Sequence, residues 1–119
     1  MKDFVIKCGN DAVSDERIEK HIGDKDFLER IFQPSEIHNN NARKLSGIFA
    51  LKEAVFKALE IQSNNWFEIE VVYKTSGKPT IKLSDAVTPK GLISIDCSVS
   101  HCNGESHAIV VMILANILD

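Results

Sequence analysis

The sequence predicts a single domain that combines helices with β-hairpins. One stretch near the middle of the chain carries apolar residues at helical spacing, and two later stretches alternate apolar and polar residues around glycine-containing turns. The chain has 119 residues, of which 44% are hydrophobic, so it can bury the core of one domain. No repeat, linker or low-complexity segment interrupts it, and we predict one domain over residues 1–119.

The N-terminal segment predicts a short first strand. Phe4, Ile6 and Cys8 recur at every second position, as in a strand with one apolar face. The strand is expected to end at Gly9, which leaves Asp11 in the loop that follows.

Two short helices are predicted next. Ser14 is a suitable N-cap for a helix that carries Ile18 and ends before Gly23. Residues 27–32 predict a second helix, which Pro34 ends or restarts.

A long central helix is the clearest element of the sequence. It runs from about Asn41 to Glu60 without a proline. Its apolar residues fall on one stripe when projected at about 100° per residue, and they include Leu45, Ile48, Phe49, Val55, Phe56 and Leu59.

Two hairpins complete the predicted structure. The first turns at Gly77 and the second at Asn103–Gly104. The strands pair residues 69–73 with 81–83, and residues 93–99 with 107–114.

Composition and charge exclude several classes of protein. The formal net charge is -3 and the pI is near 5.8, so we expect no nucleic-acid partner. Three cysteines form no C-x-x-C pair, which argues against a disulfide scaffold or zinc ribbon and favours a reducing compartment. The charged N-terminal segment predicts no signal peptide, and the longest apolar run, Ala108–Ala115, is too short to span a membrane. We therefore expect a cytoplasmic protein without a membrane partner.

Lys52 interrupts the apolar stripe of the central helix. A charge there is costly unless it has a partner. One interpretation is a lysine whose long stem reaches past its neighbours to water. The other is a cation directed into a cleft that holds an anion.

Glu53 and Lys57 follow at the edge of the stripe, one helical turn apart. They could form an ordinary surface pair. Together with Lys52, they also resemble a site for a divalent cation and the phosphates that it bridges, because Mg²⁺ binds carboxylate and phosphate oxygens. Asp11 is the candidate for a second carboxylate.

Two turns carry further candidates. His101 lies where a strand meets the Asn103–Gly104 turn, a position where a histidine is usually solvated. The turn Gly77–Pro79 presents Lys78 and can either be an ordinary hairpin turn or hold an anion.

Several motifs occur in the order found in one enzyme family. The sequence resembles the holo-acyl-carrier-protein synthases, the small single-domain class of 4′-phosphopantetheinyl transferases, over nearly its whole length. The pattern F-A-x-K-E-A-x-x-K-A-L is the most specific. The matching segments are Gly9–Val13, Arg17–Ile18, Glu29–Phe32, Phe49–Leu59, Gly77–Pro79 and Val99–His101.

The resemblance implies a transferase that moves the phosphopantetheine arm of coenzyme A to a serine of apo acyl carrier protein and releases adenosine 3′,5′-bisphosphate. Asp11 and Glu53 align with the magnesium-binding acids, and Lys57 with a catalytic lysine that contacts the phosphates. Glu53 or a metal-bound water would take the serine proton. Arg17 aligns with a residue that faces the carrier protein. Positions aligned with coenzyme A contacts are Lys44, Lys52, Lys57, Gly77, Lys78, Pro79, Ser100 and His101.

The resemblance also implies an α+β fold in which a mostly antiparallel sheet packs against one long central helix, as in the 4′-phosphopantetheinyl transferases. It implies a homotrimer with the coenzyme A site between subunits. The alternative function is that of a diverged, non-catalytic homologue that binds coenzyme A or a carrier protein as a regulatory or structural subunit.

Two departures from the family pattern concern the long helix. Ile48 stands where the family usually has arginine, and Glu60–Gln62 replaces a Gly-Thr-Gly turn. If that arginine contacts phosphate, its loss weakens coenzyme A binding about tenfold. The substitution Ile48→Arg would then recover part of the affinity.

Overall fold

A computed structural model gives the fold of residues 3–38 and 41–116. The helices are α1 (Asp15–Glu19), α2 (Lys25–Ile31), α3 (Pro34–Ile37) and α4 (Ala42–Leu59). The strands are β1 (Phe4–Ser14), β2 (Ile69–Tyr73), β3 (Pro79–Leu83), β4 (Leu92–Cys102) and β5 (Glu105–Ala115). A short 3-10 helix, Trp66–Glu68, precedes β2. The expected α+β fold is confirmed.

The strands form two antiparallel sheets. The larger sheet has the order β1-β5-β4, and β2 pairs with β3 in a separate hairpin. Both predicted hairpins are therefore present. In each hairpin the two strands are neighbours in sequence, so their pairing needs only a short turn.

Helix α4 covers one face of the larger sheet, which we call the inner face. Its ends agree with the prediction: Asn41 caps the first turn by accepting a hydrogen bond from the Lys44 backbone N–H, and Glu60 ends the helix in the left-handed conformation. On the central strand β5, Ser106, Ala108, Val110, Met112 and Leu114 are buried. They alternate with the residues of the outer face, where Ile109 and Ile113 are exposed.

The predicted end of the first strand at Gly9 is wrong. β1 continues to Ser14 and remains paired with β5 along its whole length, which places Asp11 inside the strand rather than in a loop. Gly9 has another role, because a Cβ atom at this position would clash with the Ala54 carbonyl oxygen and lie 2.7 Å from the Ala58 backbone nitrogen. The glycine therefore lets the strand and the helix approach closely.

The short helices differ in detail from the prediction. α1 starts after Ser14 as expected but ends at Glu19, and a turn separates it from Gly23. Residues 25–31 form α2, and Pro34 starts α3, in agreement with the expectation that it ends or restarts the helix.

Lys52 forms a buried ion pair with Glu36. The Lys52 ammonium lies 2.7 Å from Glu36 Oε1 and 2.7 Å from the Ile31 carbonyl oxygen, and neither side chain is exposed to solvent. Glu36 also accepts hydrogen bonds from the backbone N–H groups of Gln33 and Val71. Burial lowers the pKa of Lys52, and the Glu36 charge opposes that shift. Lys52 therefore neither reaches water nor points into an open cleft, and its expected contact with coenzyme A is wrong.

Ile48 belongs to the core, with 1% of its surface exposed. An arginine at this position would bury a charge in the core. The expectation that Ile48 marks a lost phosphate contact, and that Ile48→Arg would strengthen coenzyme A binding, is therefore not supported by its position in the fold.

None of the helices within residues 3–38 and 41–116 is long and apolar enough to cross a lipid bilayer.

We predict that Lys52→Met lowers the free energy of unfolding by about 3–5 kcal/mol, because Glu36 then remains buried without its cation. The double variant Glu36→Gln/Lys52→Met should lose less, since it removes both charges. Urea unfolding measures both effects. Lys25→Met, which breaks the exposed pair with Glu29, serves as the control and should leave the midpoint near that of the wild type. A Lys52→Met variant as stable as the control would contradict the importance of the buried pair.

Candidate active site

Asp11 and Lys57 meet where β1 passes α4. The Lys57 ammonium lies 3.0 Å from Asp11 Oδ1, and the Lys57 side chain is 56% exposed. Both residues line a cavity of about 370 Å³, together with Asn10, Ala12, Ser98, Ser100, His107, Ala108 and Ile109. The structure thus brings together three of the expected site residues, Asp11, Lys57 and Ser100.

Glu53 lies one turn before Lys57 on α4 and is held by the chain that follows the helix. Its Oε2 atom accepts hydrogen bonds from Ser63 Oγ at 2.5 Å and from Trp66 Nε1 at 3.2 Å. Its other carboxylate oxygen makes no hydrogen bond to the described part of the chain. Glu53 does not line the cavity of Asp11, and Lys57 pairs with Asp11 rather than with Glu53.

The chemistry of these two acids fits a magnesium ion. Carboxylate oxygens are preferred ligands of Mg²⁺, which usually keeps several waters and completes its shell with substrate phosphates. Within residues 3–38 and 41–116 no group of three or more His, Cys, Asp or Glu side chains forms a metal cage. Asp11 and the second oxygen of Glu53 are thus suited to an ion that is bound largely through its substrate.

Lys78 lies in the β2–β3 turn, beside β4. Its ammonium donates to the Cys97 carbonyl oxygen at 2.8 Å and lies 3.0 Å from Asp96 Oδ1. The hydrogen bond from Lys78 holds the pKa of Asp96 below its usual value. In the same turn Gly77 is exposed, whereas Pro79 is buried and its carbonyl oxygen accepts from the Cys97 thiol. Pro79 therefore offers little surface to a ligand.

Lys44 and Arg17 are exposed cations that contact aromatic rings. The Lys44 ammonium lies 4.5 Å from the centroid of the Tyr73 ring, and the Arg17 guanidinium carbon lies 5.3 Å from that of Phe49. Such contacts orient a cation without neutralising it.

His101 faces the inner side of the sheet, next to α4. Its Nδ1 atom lies 2.9 Å from Ser106 Oγ, which in turn donates to Asp15 Oδ1 at 3.2 Å. Burial, followed by the nearby Arg43 charge, lowers the pKa of His101, whereas Asp15 opposes this shift. The expected solvated histidine is thus held in a hydrogen-bonded network.

The expected site residues fall into two groups at opposite ends of α4. Asp11, Glu53 and Lys57 lie near its C-terminal end, and Lys44 lies in its first turn, near His101. Along the helix axis Lys44 and Lys57 are roughly 20 Å apart. One chain therefore does not gather all of the expected residues around one small cavity.

Sequence reasoning missed several contacts at these sites. The charge of Lys52, within the apolar stripe of the central helix, needs a buried partner, so an acidic residue was to be expected there. No feature of the sequence identified that residue as Glu36. Ser63 and Trp66 lie in the polar segment that follows α4. No pattern in that segment predicted that these two side chains bind the Glu53 carboxylate.

The family model described as the 4′-phosphopantetheinyl transferase superfamily matches residues 7–111. A holo-[acyl-carrier-protein] synthase of Protochlamydia amoebophila is 38% identical over 124 aligned positions, which cover 91% of this chain and 98% of the relative. The corresponding protein of Leptospira biflexa is 36% identical and covers 90% of this chain and 95% of its own length.

Solved structures of the same kind of enzyme share the fold. The Helicobacter pylori holo-[acyl-carrier-protein] synthase in complex with coenzyme A superposes with a TM-score of 0.79 at 34% identity, covering 88% of this chain and 98% of that one. A Bacillus anthracis holo-(acyl-carrier-protein) synthase in complex with CoA (3′,5′-ADP) has a TM-score of 0.79 at 27% identity and covers 94% of this chain and 99% of its own.

Proposed function

Because this chain belongs to the 4′-phosphopantetheinyl transferase superfamily, as one of its holo-acyl-carrier-protein synthases, we propose that Asp11, Glu53 and Lys57 form its catalytic site. The enzyme transfers the phosphopantetheine arm of coenzyme A to a serine of apo acyl carrier protein. The observation that carries the assignment of the site is the meeting of Asp11 and Lys57 one helical turn from Glu53.

The reaction breaks the phosphoanhydride bond of the coenzyme A pyrophosphate and forms a phosphate ester with serine. The serine oxygen forms a bond to the phosphorus that carries pantetheine, the bond from that phosphorus to the bridging oxygen breaks, and adenosine 3′,5′-bisphosphate leaves. The serine hydroxyl gives up its proton, for which the Glu53 carboxylate is a candidate acceptor. Charge on the phosphate oxygens is the main obstacle, so positive groups and positioning dominate such catalysis.

Asp11 and Glu53 would hold the magnesium ion, which supplies positive charge next to the pyrophosphate of coenzyme A. Ser63 and Trp66 keep the Glu53 carboxylate in a fixed orientation. Lys57 adds a second positive charge, because its exposed ammonium needs only a change of rotamer to move from Asp11 to a phosphate oxygen.

The remaining cations provide the contacts to the two substrates. Lys44, Lys78 and His101 contact coenzyme A, with Gly77 and Ser100 beside them. Arg17, exposed on α1, faces the acidic acyl carrier protein, where opposite charge favours association. The three cysteines are free, in keeping with action in the reducing cytoplasm.

The enzyme works as a homotrimer in this proposal. The outer face of the larger sheet exposes a row of large apolar side chains, among them Phe4 at 60%, Ile6 at 71% and Ile109 at 47%. Exposed apolar patches of this kind usually mark an interface. Contact with neighbouring copies would cover the patch and join the Lys57 end of one α4 to the His101 region of the next chain.

We predict that Asp11→Asn and Glu53→Gln each reduce the transfer rate by about a hundredfold or more, because each removes a negative ligand of the metal. Circular dichroism should be unchanged, since both side chains lie outside the core. Asp85→Asn, in the exposed loop after β3, is the control. Wild-type rates for either site variant at limiting magnesium would refute its metal role.

Subunit mixing tests the shared site. Lys57→Ala and His101→Ala should each lower activity alone, and refolding the two together should restore part of it. In mixed trimers some interfaces combine an intact Lys57 with an intact His101 from the neighbouring chain. Light scattering should give a trimer for all samples. A mixture no more active than its components, or a stable monomer, would exclude a site shared between subunits.

A further inference from the structure

The hydrogen-bonded chain Asp15–Ser106–His101 joins three elements of the fold. Asp15 begins α1, His101 lies near the end of β4, and Ser106 is a fully buried residue of β5. Ser106 Oγ lies 3.2 Å from Asp15 Oδ1 and 2.9 Å from His101 Nδ1. The catalytic proposal above makes no use of Ser106 or Asp15.

This chain determines which nitrogen of the imidazole carries the proton. A carboxylate can only accept hydrogen bonds, so the single hydroxyl proton of Ser106 points to Asp15. The Ser106 oxygen is then left to accept from His101, which requires a proton on Nδ1. In the neutral ring, Nε2 keeps its lone pair.

The Nε2 edge of the ring faces α4, where the residue in contact is Gly47. A Cβ atom at Gly47 would lie 3.2 Å from His101 Cε1 and 3.6 Å from Nε2, so the glycine leaves room for this edge. The charged groups that act on the ring are Arg43 and Lys44 from α4 and Asp15 from α1. The His107 ring on β5 lies beside Glu105, with its Nε2 atom 3.5 Å from Glu105 Oε1.

Arg43 and Lys44 lie about one helical turn before Gly47, the residue of α4 that contacts the ring, and their positive charge acts on the imidazole. Positive charge at such a place suits an anion of the phosphate class. Without an anion, burial and, to a smaller extent, the charges of Arg43 and Lys44 disfavour a second proton on the ring and lower the pKa of His101. A bound phosphate reverses that effect, because its negative charge favours the imidazolium and accepts a hydrogen bond from Nε2–H. Asp15, through Ser106, stabilises the same charged form from the other side.

We propose that Ser106 and Asp15 are positioning residues that hold His101 with its proton on Nδ1. The Nε2 atom then takes up a second proton when a phosphate group of coenzyme A binds beside Arg43 and Lys44. This inference rests on the proposed function for the identity of the ligand. It also makes coenzyme A binding depend on pH. The affinity falls as the pH rises from the pKa of His101 in the free protein to its higher pKa in the complex.

Nitrogen-15 NMR of the free protein tests the tautomer without any substrate. With labelled histidine, and with His101→Gln to assign the signals, wild-type His101 should show protonated Nδ1 and unprotonated Nε2 at pH 8. Ser106→Ala should shift the ring toward the Nε2–H form that predominates in free histidine. A wild-type ring with its proton on Nε2 would overturn the proposal, whatever the function of the enzyme.

Calorimetry in buffers of different ionisation enthalpy tests the proton uptake. Coenzyme A binding to the wild type at pH 7.5 should take up more protons than binding to His101→Gln. Ser106→Ala should reduce this excess and weaken binding about tenfold. Asp15→Asn keeps an acceptor oxygen but removes the charge, so it gives the same test if Ser106→Ala does not fold. Equal proton uptake in the wild type and His101→Gln would contradict the proposal, whereas a wild type that does not bind coenzyme A would contradict the proposed function.

Discussion

The buried ion pair between Glu36 and Lys52 is the constraint on which the placement of the catalytic helix depends. It joins α3 to α4, and through the Ile31 and Val71 backbone it also joins the end of α2 and strand β2. Either charge would be very costly in the core alone. The pair therefore favours the rotation of the helix that brings Lys52 to Glu36, and in that rotation the next residue, Glu53, faces Ser63 and Trp66.

A second constraint acts between α4 and the sheet. Gly9 allows β1 to touch the helix backbone near Ala54 and Ala58, and Asp11, two residues further along the same face of the strand, then reaches Lys57. The three catalytic side chains come from two rigid elements whose relative position is fixed by close packing. Such elements hold a site more firmly than loops do.

The sequence predicted best what depends on local pattern. Helix α4 and the two hairpins followed from periodicity, from the Asn41 cap and from glycine turns. The sequence-based predictions failed where a residue contacts another that is distant in the chain. Gly9 was expected to end a strand, but it is the residue at which β1 contacts α4. Lys52 signalled a ligand site, although its partner is Glu36. Ser106 and Asp15, 91 positions apart, gave no signal at all, because their contact exists only after β1 and β5 have paired.

Transfer of the phosphopantetheine arm is the central claim, and intact-mass spectrometry of the acceptor tests it most directly. Apo acyl carrier protein incubated with this protein, coenzyme A and magnesium should gain the mass of one phosphopantetheine, with an equal amount of adenosine 3′,5′-bisphosphate released. Replacing the acceptor serine by alanine should abolish the gain. An acceptor of unchanged mass, in the presence of folded protein that binds coenzyme A, would contradict the account and support a non-catalytic homologue.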